Sequence, residues 1–130
     1  MQNHRPLLSI VFPVYQNEKN LPHLLDEIIL FISEIKGYRL EFIFVDDGST
    51  DDSFNEMKAI KNNLGSKVKL IQLNKNYGQL SALRCGWKFA SGDFIGVISS
   101  DQQDPIMVFT KMMTLLDENT EIVLATRSNR

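Results

Sequence analysis

Apolar residues in this chain alternate between short unbroken runs and longer stretches in which they recur every three or four positions. Leu7 to Phe12 is the first run, bounded by Pro6 and Pro13, and it predicts a strand. From Leu21 the apolar positions 21, 24, 25, 28, 29, 32 and 35 keep helical spacing, with Asn20 as N-cap, Pro22 in the first turn and Gly37 just past the end. Leu40 to Val45 is a second strand, and Ser49 to Asn63 reads as a second helix with Phe54, Met57, Ile60 and Leu64 inward. Val68 to Leu73 mixes apolar and polar residues more than the other runs, which suits a strand at a sheet edge. A helix over Gln79 to Ala90 follows, with Leu80, Leu83, Trp87 and Ala90 on one face. Phe94 to Ile98 is again fully apolar, Pro105 opens a helix carrying Ile106, Phe109, Met113 and Leu116, and Ile122 to Ala125 supplies a fifth strand.

This alternation predicts an α/β fold, a Rossmann-like parallel sheet with helices on both faces. Ligands bind such sheets beyond the carboxyl ends of the strands, where the strand order reverses. The loops there are Pro13 to Asn20, Asp46 to Asp51 and Ser99 to Asp104, and they are also the most polar and specially patterned loops of the chain. The apolar run Phe42 to Val45 ends abruptly in Asp46-Asp47-Gly48-Ser49-Thr50-Asp51, so a buried strand delivers polar groups to that edge. Taken alone, the same residues are equally a turn followed by a helix cap.

Composition narrows the function. The length of 130 residues suits one domain, with 43% hydrophobic content able to form a core. A net charge of −2, without a basic block, argues against nucleic-acid binding. Cys85 is the only cysteine, so no internal disulfide forms, and no Cys/His cluster has zinc spacing. With no apolar stretch near spanning length, the expectation is a soluble, cytoplasmic domain. His4 and His23 sit at surface positions, while Cys85, Trp87 and the methionines at 107, 112 and 113 read as packing residues.

At the end of the fourth strand, Ser99-Ser100-Asp101-Gln102-Gln103-Asp104-Pro105 carries hard oxygen donors, and Asp101 and Gln103 share one side of an extended segment. Mg2+ or Mn2+ is commonly held by one or two such oxygens together with water and substrate phosphates. Asp104 before Pro105 suits an N-cap instead. Asp46 and Asp47 also offer oxygens, and spacing leaves open which pair would bind a metal. Neither Gly-x-Gly-x-x-Gly nor Gly-x-x-x-x-Gly-Lys-Ser/Thr occurs, which disfavours dinucleotide oxidoreductases and P-loop enzymes. Phosphate charge would then fall to the metal and to cations such as Lys75 or Arg127.

Four segments stand in a telling order: Val11-Phe12-Pro13-Val14-Tyr15-Gln16-Asn17-Glu18, Phe44-Val45-Asp46-Asp47-Gly48-Ser49-Thr50-Asp51, Asn74-Lys75-Asn76-Tyr77-Gly78-Gln79 and Asp101-Gln102-Gln103-Asp104-Pro105. Each is weak alone, but together they span nearly the whole chain. The set resembles the N-terminal, nucleotide-binding half of an inverting family 2 glycosyltransferase of the GT-A fold, particularly the polyprenyl- and dolichol-phosphate sugar transferases. The resemblance implies transfer of a sugar from a nucleotide-diphosphate sugar to an acceptor, a lipid-linked phosphate or a glycan. It places Pro13 and Tyr15 at the nucleobase, with Glu18 as the nearby carboxylate. Asp47 would read the base edge, with Asp46 as its structural partner. Asn76, Tyr77 and Gly78 would form the loop beside the nucleotide, and Ser100 and Arg127 would also contact it. The metal, Mg2+ or Mn2+, falls to Asp101 and Gln103.

Three departures stand out. Ser99 occupies the place of the first carboxylate in the family's usual Asp-x-Asp pair, and Gln16-Asn17 stands where Asn-Glu is common. The acceptor-side catalytic base is expected beyond Arg130, as are any membrane helices, so the full-length protein is expected at the cytoplasmic face of a membrane. A non-catalytic nucleotide-sugar-binding module is the alternative. A phospho-receiver domain fits poorly, because Asn74 and Arg127 stand where it needs an aspartate and a lysine.

Overall fold

The computed structural model describes residues 5–100 and 105–115. The strands are β1 (Leu7–Val14), β2 (Arg39–Asp46), β3 (Val68–Gln72) and β4 (Phe94–Val97). The helices are α1 (Leu21–Glu34), α2 (Ser53–Leu64), α3 (Gln79–Phe89) and α4 (Val108–Met112). The four described strands are parallel in the order β3-β2-β1-β4, so β3 is an edge, as its mixed pattern predicts. The chain runs outward from β1 to β3 and then returns to place β4 on the other side of β1. The switch point therefore lies between β1 and β4. The expected fifth strand, Leu116 and the Asp104 cap lie outside the described residues.

Alternate strand residues face opposite layers, as the pleat requires. Leu8, Ile10, Phe12, Phe42 and Phe44 pack under α1, α2 and α4, with the Phe12 and Phe44 rings stacked 4.6 Å apart. Val11, Ile43 and Val45 face α3 on the other side. Helices thus cover both faces, as the alternation predicts.

β1 runs two residues further than the apolar pattern indicates, through Pro13. A proline is tolerated here because β4 pairs with β1 only up to Val11 opposite Val97, so the missing N–H faces no ladder partner. The register still continues on the other side, where Pro13 lies beside Val45 and Val14 beside Asp46.

Four helix expectations need correction. On α1 the buried residues are Leu21, Leu24, Ile28 and Phe31, whereas Ile29 is 45% exposed, because the unbroken apolar run from Ile28 to Ile32 leaves the inward face to be chosen by the sheet. Asn20 takes the N-cap position, yet its side chain makes no capping bond. On α3 the inward residues are the small ones, Ala82 and Gly86, while Leu80 and Trp87 are 68% and 59% exposed. The helix lies so close that a Cβ at Gly86 would sit 2.4 Å from Val11 Cγ1, leaving no room for large side chains underneath. α2 starts at Ser53 and not at Ser49, for a reason that belongs to the site.

A polar cluster fixes the far end of α3. Glu41 Oε2 lies 2.7 Å from Lys69 Nζ, and Glu41 Oε1 accepts from Ser9 Oγ and Ser91 N. Lys69 also donates to the carbonyl of Phe89, the last residue of α3. Its position at the amino ends of the strands keeps it apart from the loops that form the site.

Candidate nucleotide-binding site

The carboxyl ends of β1 and β2 are laced together by their loops. Gln16 N donates to Ser49 Oγ at 2.9 Å, and Gln16 Oε1 accepts from Thr50 N at 2.7 Å. Glu18 N donates to Asp51 Oδ2, and Glu18 Oε1 accepts from Asp52 N. Asp51 Oδ1 in turn accepts from Ser53 N at 3.0 Å. These side-chain bonds hold residues 49–52 outside helical geometry, which is why α2 begins four residues later than its Ser/Thr/Asp composition suggests. Gln16 carries φ 54°, an unusual conformation for a residue with a side chain, and its bonds to the second loop offset that strain.

Burial opposes the charge on Asp51, yet the bonds from Ser53 and the Glu18 amide outweigh it and hold the carboxyl below its ordinary value of 3.8. Glu41 is lowered in the same way: burial raises it, and Lys69, Ser9 and Ser91 more than compensate. A lowered folded pKa gives stability that is present above the unfolded value and lost as pH falls through the folded one. Urea midpoints should therefore decline as pH falls below about 4, and Asp51→Asn should show a shallower decline than the wild type. Parallel curves for the two proteins would remove Asp51 from this account.

The two carboxylates that end β2 have different tasks. Asp46 is 1% exposed, its Oδ1 accepts from Ser49 N at 3.0 Å, and its buried Oδ2 has no partner among the described residues. Asp47 is 3% exposed and reaches across to the loop before α3, where Oδ1 accepts from Tyr77 N at 2.8 Å and Oδ2 from Gly78 N at 3.0 Å. Asp47 thus anchors the start of α3, which has no side-chain cap of its own. Each oxygen keeps a second lone pair for a ligand donor. Gly48, with φ 73°, lets this loop lie directly on the end of β2.

At the switch point these loops enclose a cavity of about 310 Å³ lined by Pro13, Val14, Tyr15, Asn17, Asp47, Asn76, Gly78, Gln79 and Ser99. Tyr15 is 47% exposed on its wall, and Tyr77, 50% exposed between Asn76 and Gly78, carries Lys75 Nζ 5.2 Å from its ring centre. Pro13, Tyr15, Asp47, Asn76 and Gly78, singled out in the sequence, therefore meet in one cavity. Ser100 is fully buried beside it, while Glu18 turns towards the start of α2. Asp101, Gln103 and Arg127 lie outside the described residues. Asn17, Gln79 and Val14 were not foreseen; the position of Asn17 just past the end of β1 was the available signal. A larger groove of about 480 Å³, lined by Leu80, Leu83, Arg84, Trp87, Lys88 and Val97, is an apolar face of α3 and β4 without acids.

The model of the family described as glycosyl transferase family 2 matches residues 9–130. The chain belongs to that family. Among curated proteins, this family 2 chain is 36% identical over 123 residues to undecaprenyl-phosphate 4-deoxy-4-formamido-L-arabinose transferase of Yersinia pestis (strain Pestoides F), covering 95% of the chain and 37% of the relative. The Proteus mirabilis (strain HI4320) protein of the same name is 35% identical over the same coverage. The chain thus spans 37% of the length of these relatives. Among solved structures, mannosyltransferase PcManGT from Pyrobaculum calidifontis, in complex with GDP-Man and Mn2+, aligns with a TM-score of 0.73 at 21% identity, over 91% of this chain and 34% of that one. S. aureus TarS residues 1–349, in complex with UDP, aligns with a TM-score of 0.63 at 28% identity, over 73% of this chain and 27% of that one. These neighbours share the parallel α/β architecture.

Proposed function

We propose that the protein is a glycosyltransferase that moves a sugar from a nucleotide-diphosphate sugar to a polyprenyl phosphate with inversion, and that this chain supplies the donor side. The cavity at the switch point carries the reading. It is walled by a half-exposed tyrosine, floored by a buried carboxylate and closed by a loop whose amides that carboxylate holds. A nucleoside fits these features: Tyr15 offers a face for stacking, and the Asp47 oxygens accept N–H donors from a base edge. Pro13, Asn76, Gly78 and Ser100 position the surrounding backbone, and Asp46 fixes the turn that presents Asp47.

The relatives' names support an undecaprenyl-phosphate acceptor, and the bound ligands of the neighbours support a nucleotide-sugar donor and a divalent cation. Among the described residues no group of three or more acids, histidines or cysteines could hold a metal. Asp101 and Gln103 come one and three residues after Ser100 in the sequence, and both offer hard oxygens that suit Mg2+ or Mn2+ shared with substrate phosphates. Such an ion would neutralise charge on the departing diphosphate, with Arg127 assisting. Among the described residues no helix is long and apolar enough to cross a membrane. A polyprenyl-phosphate acceptor is lipid-anchored, which supports a reaction at a membrane surface, on its cytoplasmic face in this reading. Ser99, in place of a carboxylate, favours a second reading as a binding module without turnover.

Calorimetric titration with UDP-, GDP- and dTDP-sugars, with and without Mn2+, tests the donor site. One nucleotide is expected to bind more tightly with the ion, and Asp101→Ala to abolish that enhancement while metal-free binding survives. Transfer to a polyprenyl phosphate by the full-length gene product separates the readings. Binding without transfer there selects the module, and no binding at all defeats both.

A further inference from the structure

Asn17 joins more of the site than any residue singled out in the sequence. Its Oδ1 accepts from Tyr15 N at 2.9 Å and from Ser100 Oγ at 2.6 Å. Its backbone N–H donates to Ser53 Oγ at 2.8 Å, at the start of α2. The Asn17 carbonyl accepts from Asn20 N at 2.9 Å and Leu21 N at 3.1 Å, which begins α1. One residue on the cavity wall therefore ties together the end of β1, the starts of α1 and α2, and the loop after β4.

The amide oxygen suits this position because its two lone pairs serve two donors at once. The Ser100 hydroxyl also lies 3.1 Å from the Pro13 carbonyl, but it carries one proton, and the shorter contact to Asn17 takes it. Ser100 is fully buried, so without Asn17 its hydroxyl would turn to Pro13 and the Tyr15 amide would lose its partner. The wall that faces the nucleoside and the loop after β4 would then move independently.

We propose that Asn17 is a positioning residue of the nucleotide site, holding Tyr15 and Ser100 in fixed relation beside the cavity. This rests on the nucleotide reading above. Asn17 reaches the ligand through these two neighbours, and what the position requires is a side-chain oxygen with two free lone pairs.

The test measures UDP, GDP and dTDP binding by calorimetry with Mn2+, and uridine and guanosine binding by NMR titration, on the whole chain. Asn17→Ala should weaken every ligand that the wild type binds by about tenfold, the size of one to two lost hydrogen bonds. Asn17→Asp, whose carboxylate accepts the same two donors, should restore nucleosides and diphosphates alike to within about twofold of wild type. Ser100→Ala removes only the donor, should follow Asn17→Ala, and carries the test if that variant does not fold. The proposal is overturned if the folded alanine variants bind within about twofold of wild type, or if Asn17→Asp loses nucleosides as fully as alanine does. A wild type that binds none of UDP, GDP and dTDP overturns the nucleotide reading itself, and this proposal with it.

Discussion

Asp47→Asn should destabilise the chain by about 1.5–3 kcal/mol, although it changes a single atom's identity. The Asp47 carboxylate accepts from two backbone amides 30 and 31 residues further on, Tyr77 N through Oδ1 and Gly78 N through Oδ2. Both donors approach the same side chain, so an amide placed there must turn its NH2 towards one of them. One backbone donor then faces another, and that amide loses a part-buried, charge-assisted bond, which costs about 1.5–3 kcal/mol. Asp47→Ala orphans both amides and should be at least as damaging. Asp52→Asn is the control: Asp52 is exposed and accepts from the Asn55 side chain, and this substitution should move the urea midpoint little. The Asp47 variant should also expose the Tyr77 and Gly78 amides to hydrogen exchange and weaken nucleotide binding with or without metal. Asp47 and Asp52 variants of equal stability would remove Asp47 from its anchoring role.

That pair of bonds also marks what could be read from the sequence and what could not. Alternating apolar runs and helical periods were enough for a parallel sheet covered on both faces, for β3 at an edge, and for the gathering of three polar loops at one end. Each of those follows from local pattern and topology rules that act on every such chain. The loops themselves obey long-range bonds. Ser49 and Asp51 look like helix-starting residues because their side chains can cap, but here they bind Gln16 and Glu18 and delay α2 to Ser53. On α3 Leu80 and Trp87 face outward while Leu83 packs against the core, since the helix lies closest to the sheet at Ala82 and Gly86, where Val11 leaves no room for a larger side chain. Asn17 reads as an ordinary loop residue until Ser100, 83 residues away, is seen to donate to it.

Gly48→Ala should abolish nucleotide binding while Gly65→Ala leaves it intact, although both glycines have a positive φ and both substitutions cost stability. Their φ values are 73° and 72°, and Gly65 has ψ −137°, outside the left-handed helical region, so alanine is strained at both positions. The surroundings differ. A Cβ at Gly65 meets nothing within 4 Å, whereas at Gly48 it would lie 2.3 Å from the Lys75 carbonyl carbon and 2.4 Å from the Asn76 nitrogen. Those atoms are backbone and cannot rotate aside, so the whole segment before α3 must lift off the end of β2. Lifting it pulls Tyr77 and Gly78 from the neighbouring Asp47, so the clash and the lost anchor act together and are not additive with Asp47→Asn. Urea denaturation of the two glycine variants measures the stability each substitution costs. Nucleotide titration then reads the site, since Asn76 and Gly78 line the cavity and Gly65 does not. Gly65→Ala should keep wild-type affinity and Gly48→Ala should lose it. Equal nucleotide affinities for the two folded variants would mean that the close approach of the two loops contributes nothing to holding the site together.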